Sequence, residues 1–344
     1  MTTPLRQIKN LTPDEFTAWL AEHKQPAFRG KQVREWLYRH LAISWDEMTS
    51  LPAGLRRDLA ADFLACSLTV IEEQAADDGT VKILFQLPDG ETIESVRIKA
   101  PGRHTVCIST QVGCPVRCTF CASGRDGLIR DLTPGEIVDQ VVMACRALGE
   151  RVDNVVVMGM GEPLLNLDNL LAALEMLGSP DGLGIGARSI TISTSGVVPG
   201  IRRLADLGKQ WNLALSLHAT TETARARLIP AAHRWPLEEI LEACCYYFEK
   251  TSRIVTLEYA LIAGNNDSAE EMRHLAGIAR RLHAKVNFIP YNQTTAAYHQ
   301  PVDADVRRCV QAIEKAGIPV TVRREKGAEI QAACGQLRRR HLDT

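Results

Sequence analysis

From residue 104 onward, short apolar runs alternate with helix-patterned stretches: TVCIS, NVVVMGM, RSITIST, NLALSLH, RIVTLEYAL and KVNFIP, most followed by a helical segment. This alternation restricts the chain to parallel strands joined by right-handed helical crossovers. VTVR, at 320–323, adds an edge strand. Nearly every run ends in polar or glycine-rich residues: a group of cysteines, Gly161-Glu162, Ser193-Thr194-Ser195, Ser216-Leu217-His218 and Tyr291-Asn292. An open doubly wound sheet concentrates its chemistry at one switch point, whereas a barrel collects it from many strand ends around one mouth. Chemistry at five of the six strand ends predicts an α/β fold built as a partial (β/α)6 TIM-like barrel.

The segment before it is patterned differently. Thr12-Pro13-Asp14-Glu15 supplies an N-cap, a first-turn proline and a capping-box glutamate. FRGKQVREWLYRHL places Val33, Trp36, Leu37 and Leu41 near helical spacing and carries Arg29, Lys31, Arg34 and Arg39, either a solvated face or an RNA-facing one. TVKILFQL and ETIESVRI flank Pro88-Asp89-Gly90, a hairpin signal. The expected divisions are a helical accessory module at 1–66, a β-hairpin extension at 67–99, the barrel core at 100–329 and a C-terminal tail at 330–344.

The 344 residues are 45% hydrophobic and 24% charged, with mean hydropathy -0.10, which permits a sizeable core. The net charge of -1 gives no global basic signature of a nucleic-acid binder, although local patches remain open. No run approaches the roughly 18 apolar residues of a membrane span, and MTTPLRQIKNLTPDEF has no apolar signal core. The expected location is the cytoplasm, where thiols stay reduced, so the ten cysteines read as metal-binding or catalytic before they read as disulfides.

Four of the cysteines fall between 107 and 121, and Cys114, Cys118 and Cys121 form a CxxxCxxC loop just after a strand. Three thiolates can hold three irons of a 4Fe-4S cube, leaving the fourth iron open to a small molecule. A zinc site would need a second ligand pair, and Cys244-Cys245, adjacent on a helix, do not supply one. Zinc or plain buried cysteines are the alternatives. An open iron suits chelation by the amino and carboxylate groups of S-adenosylmethionine (SAM).

This motif, with Phe120 before its last cysteine and with Gly159-Met160-Gly161-Glu162-Pro163 one strand later, resembles the radical SAM superfamily. The ordered set STQxGCxxxCxFCxxGxxGLxRxLTxxEI, MGMGEPLLN, ISTSGVVP, LSLHA and AACGQL, with FRGKQVREWLY upstream, resembles the RlmN family of dual-specificity RNA methyltransferases. The resemblance runs from about Phe28 to Leu337. It implies a radical SAM barrel acting on carbon 2 of adenosine, in the peptidyl-transferase region of 23S rRNA and beside the tRNA anticodon.

Carbon 2 of adenine is no nucleophile, and a thiolate is. The resemblance therefore implies that Cys334 accepts a methyl group from one SAM, that a second SAM at the 4Fe-4S cluster opens it for radical transfer, and that Cys107 resolves the resulting protein–RNA link by forming a disulfide with Cys334. Glu94 aligns with the family's proton acceptor; by residue type alone it reads as a solvent-facing strand carboxylate, and Cys107 as a core cysteine. SAM contacts carry over to Gly161, Glu162, Ser193, Ser216, Leu217, His218 and Asn292. The partners implied are 23S rRNA, tRNA and a flavodoxin-like electron donor, with no membrane and a monomeric protein. Cys66, Cys145, Cys244, Cys245 and Cys309 match no motif and read as structural.

Two loops depart from the family pattern: Gln-Thr-Thr-Ala-Ala-Tyr-His after Asn292, and IPAAHRWPL. Both belong to the barrel mouth, where loops set substrate choice. The rivals are a Cfr-type enzyme methylating carbon 8, a paralogue with a changed RNA target and, from another class, a zinc-knuckle RNA-binding protein.

Overall fold

The computed structural model describes residues 5–292, 297–323, 337, 338 and 341, except for the side chains of residues 232 and 233. Its centre is a ten-stranded sheet. Six strands run parallel in sequence order: Arg103–Cys107, Asn154–Val157, Ile190–Thr194, Asn212–Ser216, Thr256–Leu261 and Lys285–Pro290. Val320–Val322 pairs in parallel beside the last, as the edge strand expected from VTVR. Helices Pro134–Leu148, Leu167–Gly178, Val198–Asp206, Leu237–Thr251, Ala269–Arg281 and Asp303–Lys315 make the crossovers.

The hairpin signal around Pro88-Asp89-Gly90 folds as read. Val81–Gln86 pairs antiparallel with Thr92–Ala100, and Gly90 takes a left-handed φ of 88° that a side chain would resist. The hairpin is continuous with the barrel sheet, because Thr92–Ala100 also pairs antiparallel with Arg103–Cys107. Thr69–Ala75 adds the far edge. These additions carry Glu94 and Cys107 on neighbouring strands of one surface.

The sheet closes on itself only partly. Its two outer strands are not hydrogen-bonded to each other. Residues from both ends, Glu94 and Cys107 on one side and Val322 and Arg323 on the other, nevertheless line one cavity of about 1460 Å³. The right-handed twist of neighbouring strands, accumulated across the sheet, wraps it into the partial barrel expected from the alternation.

The N-terminal helices Pro13–Glu22, Phe28–Tyr38 and Ala53–Asp62 pack Phe16, Leu20, Val33, Leu37, Leu55 and Leu59 inward. The Thr12 capping box forms, with the Thr12 N–H donating to Glu15 at 2.7 Å and the Glu15 N–H to the Thr12 hydroxyl at 3.2 Å. Buried polar contacts join this module to the barrel. Lys9 Nζ lies 2.7 Å from Asp139 on helix Pro134–Leu148 and also donates to the Ala65 carbonyl, and Asp139 accepts the N–H and hydroxyl of Ser67. Asn10 accepts the Gly135 N–H at 2.7 Å. No described helix is long and apolar enough to cross a membrane.

Candidate active site

A short hairpin outside the main sheet presents the three cysteines. Gln111–Gly113 pairs antiparallel with Leu128–Asp131, and the loop between them carries Cys114, Cys118 and Cys121. Gly113 makes the base of this loop possible: at φ 78°, a Cβ would stand 2.0 Å from the Gly127 carbonyl oxygen, which accepts the Cys114 N–H at 2.8 Å. Gly124 lies flat against the Arg117 backbone for the same reason. Arg130 braces the hairpin with two 2.9 Å contacts to Glu136, the capping-box residue of helix Pro134–Leu148, and a 2.6 Å contact to Asp89.

All three cysteines are partly buried at the wall of the cavity. Burial pushes Cys114 up to about 12 and raises Cys118 and Cys121 above the ordinary thiol range, with a neighbouring cysteine adding to the rise at Cys114 and Cys118. Thiols raised in this way ionise readily only around a cationic centre. Among the described residues no group of three or more His, Cys, Asp or Glu side chains is arranged to hold a single metal ion. Three thiols carried on one loop at the wall of one cavity are a donor set that fits a cluster with one iron left for a small molecule.

The glycine-rich strand end lies flush on the strand that precedes the cysteines. A Cβ at Gly159 would meet the Ile108 carbonyl at 2.6 Å, and one at Gly161 (φ 105°) would meet Gln111 at 2.7 Å. The Glu162 N–H donates to Gln111, and the Glu162 carboxylate is aimed by two backbone donors, Ser195 N–H at 2.7 Å and Leu164 N–H at 3.2 Å. Burial raises its pKa, and the Ser195 hydrogen bond opposes the rise.

Ser193 and Ser216, on adjacent strands, bring their hydroxyls within 3.2 Å of each other at the cavity wall. His218 is buried with a φ of 58°; its Nδ1 accepts the Ala260 N–H at 2.9 Å, and its ring meets Phe120 edge-on with centroids 4.9 Å apart. Burial, helped by Arg225, lowers its pKa to about 3, so the ring is neutral and Nε2 carries the remaining N–H. Leu217 turns its side chain into the core, so only its backbone is available to a ligand. Asn292 lines the cavity beside Tyr291. Beyond it, Tyr298 donates to or accepts from the Thr119 hydroxyl at 2.7 Å, and Thr119 N–H donates to the Leu228 carbonyl at 2.9 Å. Tyr298 of one divergent loop, and Ile229 and Ala231 of the other, therefore border the cysteine loop.

Glu94 and Cys107 line the same cavity as the cysteine loop. Val96 is the strand partner of both Lys82 and Cys107, and Glu94, two residues from Val96, shares their face. The solvent-facing reading of Glu94 is wrong: it is 2% exposed, with Lys82 Nζ 3.3 Å from one carboxylate oxygen and the Arg338 N–H donating to the other at 2.5 Å. Arg338 also donates to the Thr92 carbonyl at 2.9 Å and to Glu91 at 3.1 Å. These contacts pin the tail four residues beyond Cys334, which itself lies outside the described residues. The Cys107 thiol is buried and raised, with Arg323 and Lys82 opposing the burial. All described cysteines are free thiols.

Lys82, Arg225, Glu258 and Arg338 escaped the sequence reading. Lys82 and Glu258 sit in strand patterns and Arg225 in ETARARL, where a charged residue signals a solvated face; nothing local marks them as buried.

Comparison with known proteins agrees with this geometry. Residues 108–276 match the Radical SAM superfamily model, and residues 7–64 match that of the ribosomal RNA large subunit methyltransferase N-terminal domain. The probable dual-specificity RNA methyltransferase RlmN of Symbiobacterium thermophilum is 48% identical over 97% of this chain and 91% of its own length. Its Staphylococcus aureus counterpart is 44% identical over 97% and 93%. A crystal structure of a radical SAM methyltransferase from Sphaerobacter thermophilus superposes with a TM-score of 0.93 at 44% identity, covering 96% of this chain and 98% of that one. The chain belongs to the RlmN family of dual-specificity RNA methyltransferases.

Proposed function

We propose that this protein methylates carbon 2 of adenosine in 23S rRNA and in tRNA, using a 4Fe-4S cluster and two molecules of SAM per turnover. The observation that carries the reading is convergence: the three-cysteine loop, Glu162, Ser193, Ser216 and His218 share one cavity with Glu94 and Cys107. Cys114, Cys118 and Cys121 would hold the cluster, which supplies one-electron cleavage of SAM when bound.

The chain's own residues divide the remaining work. The Glu162 carboxylate, fixed by Ser195 and Leu164, accepts the SAM amino group, and Gly161 lets the backbone approach it. The Ser193 and Ser216 hydroxyls, the neutral His218 ring and the Asn292 amide supply hydrogen bonds for ribose and adenine. Cys334 carries the methyl group as an S-methyl, Glu94 takes the proton lost from the substrate carbon, and the Cys107 sulfur attacks the Cys334 sulfur, forming their disulfide as the bond from Cys334 to the transferred carbon breaks and that carbon takes a proton. Lys82 Nζ, 3.3 Å from one of its oxygens, fixes the Glu94 carboxylate at the cavity wall. A flavodoxin-like donor, a monomeric state, a cytoplasmic location and the divisions at 66/67, 99/100 and 329/330 complete the proposal.

The test is anaerobic incubation with unmodified 23S rRNA and tRNA, followed by nuclease digestion and mass spectrometry against 2-methyl- and 8-methyladenosine. The expected product is 2-methyladenosine in both RNAs. A dominant 8-methyl product would favour the Cfr-type reading, and product in one RNA alone a narrowed paralogue. Cys334→Ala abolishes methylation, and Cys107→Ala accumulates a covalent protein–RNA adduct visible on denaturing gels; methylation by Cys334→Ala would rule out the carrier role.

A further inference from the structure

The short helix Glu222–Leu228 contains a guanidinium that the proposed chemistry does not use. Arg225 is completely buried. Its Nη2 donates to the Ser195 carbonyl, while Nε and Nη1 have no hydrogen-bond partner among the described residues. Stripping water from a cation and leaving two of its donors unmatched is strongly unfavourable, so packing alone does not account for an arginine here.

Its surroundings suggest what the charge faces. Arg225 borders a small void with Pro115 and Val116 of the cysteine loop and with Ser195. Val116, Leu228 and Ile229 form an apolar patch against which Cys114 and Cys118 pack. Burial lowers the pKa of Arg225, and the groups opposing that are Cys118 first, then Glu222, Glu162 and Cys244. Ser195 links two of these residues: its N–H donates to Glu162 at 2.7 Å, and its carbonyl accepts from Arg225. One residue is thus held at its carbonyl by the guanidinium and at its N–H by the carboxylate.

We infer that Arg225 is a positioning residue of the SAM site, a fixed buried cation that offsets the negative charge gathered at Cys114, Cys118 and Cys121 and holds the Ser195 peptide so that Glu162 stays aimed at the SAM amino group. This rests on the cluster-and-SAM reading above. Reducing a thiolate-held cluster adds negative charge near the guanidinium, and an apolar surround screens their attraction poorly. The cation therefore makes reduction easier, and its loss moves the reduction potential to more negative values. Loosening Ser195 separately weakens the hold on Glu162, so SAM affinity falls as well.

The test uses anaerobically reconstituted full-length protein: wild type, Arg225→Met and Arg225→Lys. Iron and sulfide content, the cluster potential by EPR-monitored titration, and the SAM dissociation constant by equilibrium dialysis are measured for each. Arg225→Met is expected to load iron, to reduce at a more negative potential, and to bind SAM about tenfold or more weakly, the loss expected for a charge-assisted contact. Arg225→Lys keeps the charge but not the planar fork, so its potential stays near wild type while SAM binding still weakens.

A fully loaded Arg225→Met protein with either quantity unchanged overturns the inference. Should Arg225→Met not fold, Arg225→Lys decides: wild-type SAM affinity in that variant overturns it. Wild-type protein that took up no iron would sink the cluster reading and the inference with it, and the wild-type control tells the two failures apart.

Discussion

His218 shows how one residue is tuned by its setting. The left-handed backbone turns its ring under Phe120, and the Ala260 N–H occupies Nδ1, so protonation would have to break a buried hydrogen bond. Its pKa falls from 6.5 to about 3. The depressed value means that the stabilisation is complete above pH 6.5 and is lost as pH falls toward 3, because the unfolded chain binds a proton that the folded chain does not. Over the 1.5 units down to pH 5 this amounts to about 2 kcal/mol. Urea unfolding at pH 7 and pH 5 should show that loss in the wild type. In His218→Asn, whose Oδ1 can take the same N–H and whose backbone tolerates positive φ, the loss should be smaller by that amount. Equal pH dependence in both proteins would mean that the ring charges in the folded state.

At the scale of elements, the cysteine loop depends on a hairpin that has no role in the main sheet. Gln111–Gly113 and Leu128–Asp131 meet at Gly113, where backbone approaches backbone and no side chain can move aside to make room. Gly113→Ala adds a carbon against the Gly127 carbonyl and forces an unfavourable φ, a loss of at least about 2 kcal/mol. The expected signature is a lowered melting temperature together with reduced iron content after reconstitution. Gly90→Ala, with nothing within 4 Å of its Cβ, pays only the strain of positive φ and leaves iron content unchanged. Equal iron loss in the two variants would show that global stability, and not the loop, controls cluster retention. Strand Thr92–Ala100 illustrates the same dependence. It brings Glu94 to the cavity, and its neighbours Lys82 and Arg338 decide that the side chain is a buried acceptor.

For the whole molecule, the joint between the N-terminal module and the barrel is polar and buried. Lys9 and Asp139 are an ion pair withdrawn from solvent, with Ala65 and Ser67 completing its hydrogen bonds. Breaking such a pair from one side leaves an uncompensated charge, so Lys9→Met should destabilise the protein by about 3–5 kcal/mol, measured by thermal or urea unfolding. Adding Asp139→Asn should restore part of that loss, since Asn still offers Ser67 an acceptor and removes the stranded charge. Failure of the second substitution to restore anything would show that packing, and not charge, holds the joint. The module's basic helix Phe28–Tyr38 leaves Lys31 exposed, and Arg39, which caps its C-terminal end, is exposed as well.

The sequence alone determined what depends on short spacings. Alternating apolar runs specify the parallel strands, Thr12 and Thr133 start their helices through capping boxes, Pro88-Asp89-Gly90 turns its hairpin, and three cysteines within eight residues bring their thiols together however the rest of the chain folds. Tertiary structure alone decided which polar groups lost their water. Glu94 reads as exposed until Lys82 and a tail 244 positions away enclose it, and Arg225 reads as a surface arginine until its helix closes over the cysteine loop. Desolvation is a property of everything packed around a group, and no local pattern of residue types records it.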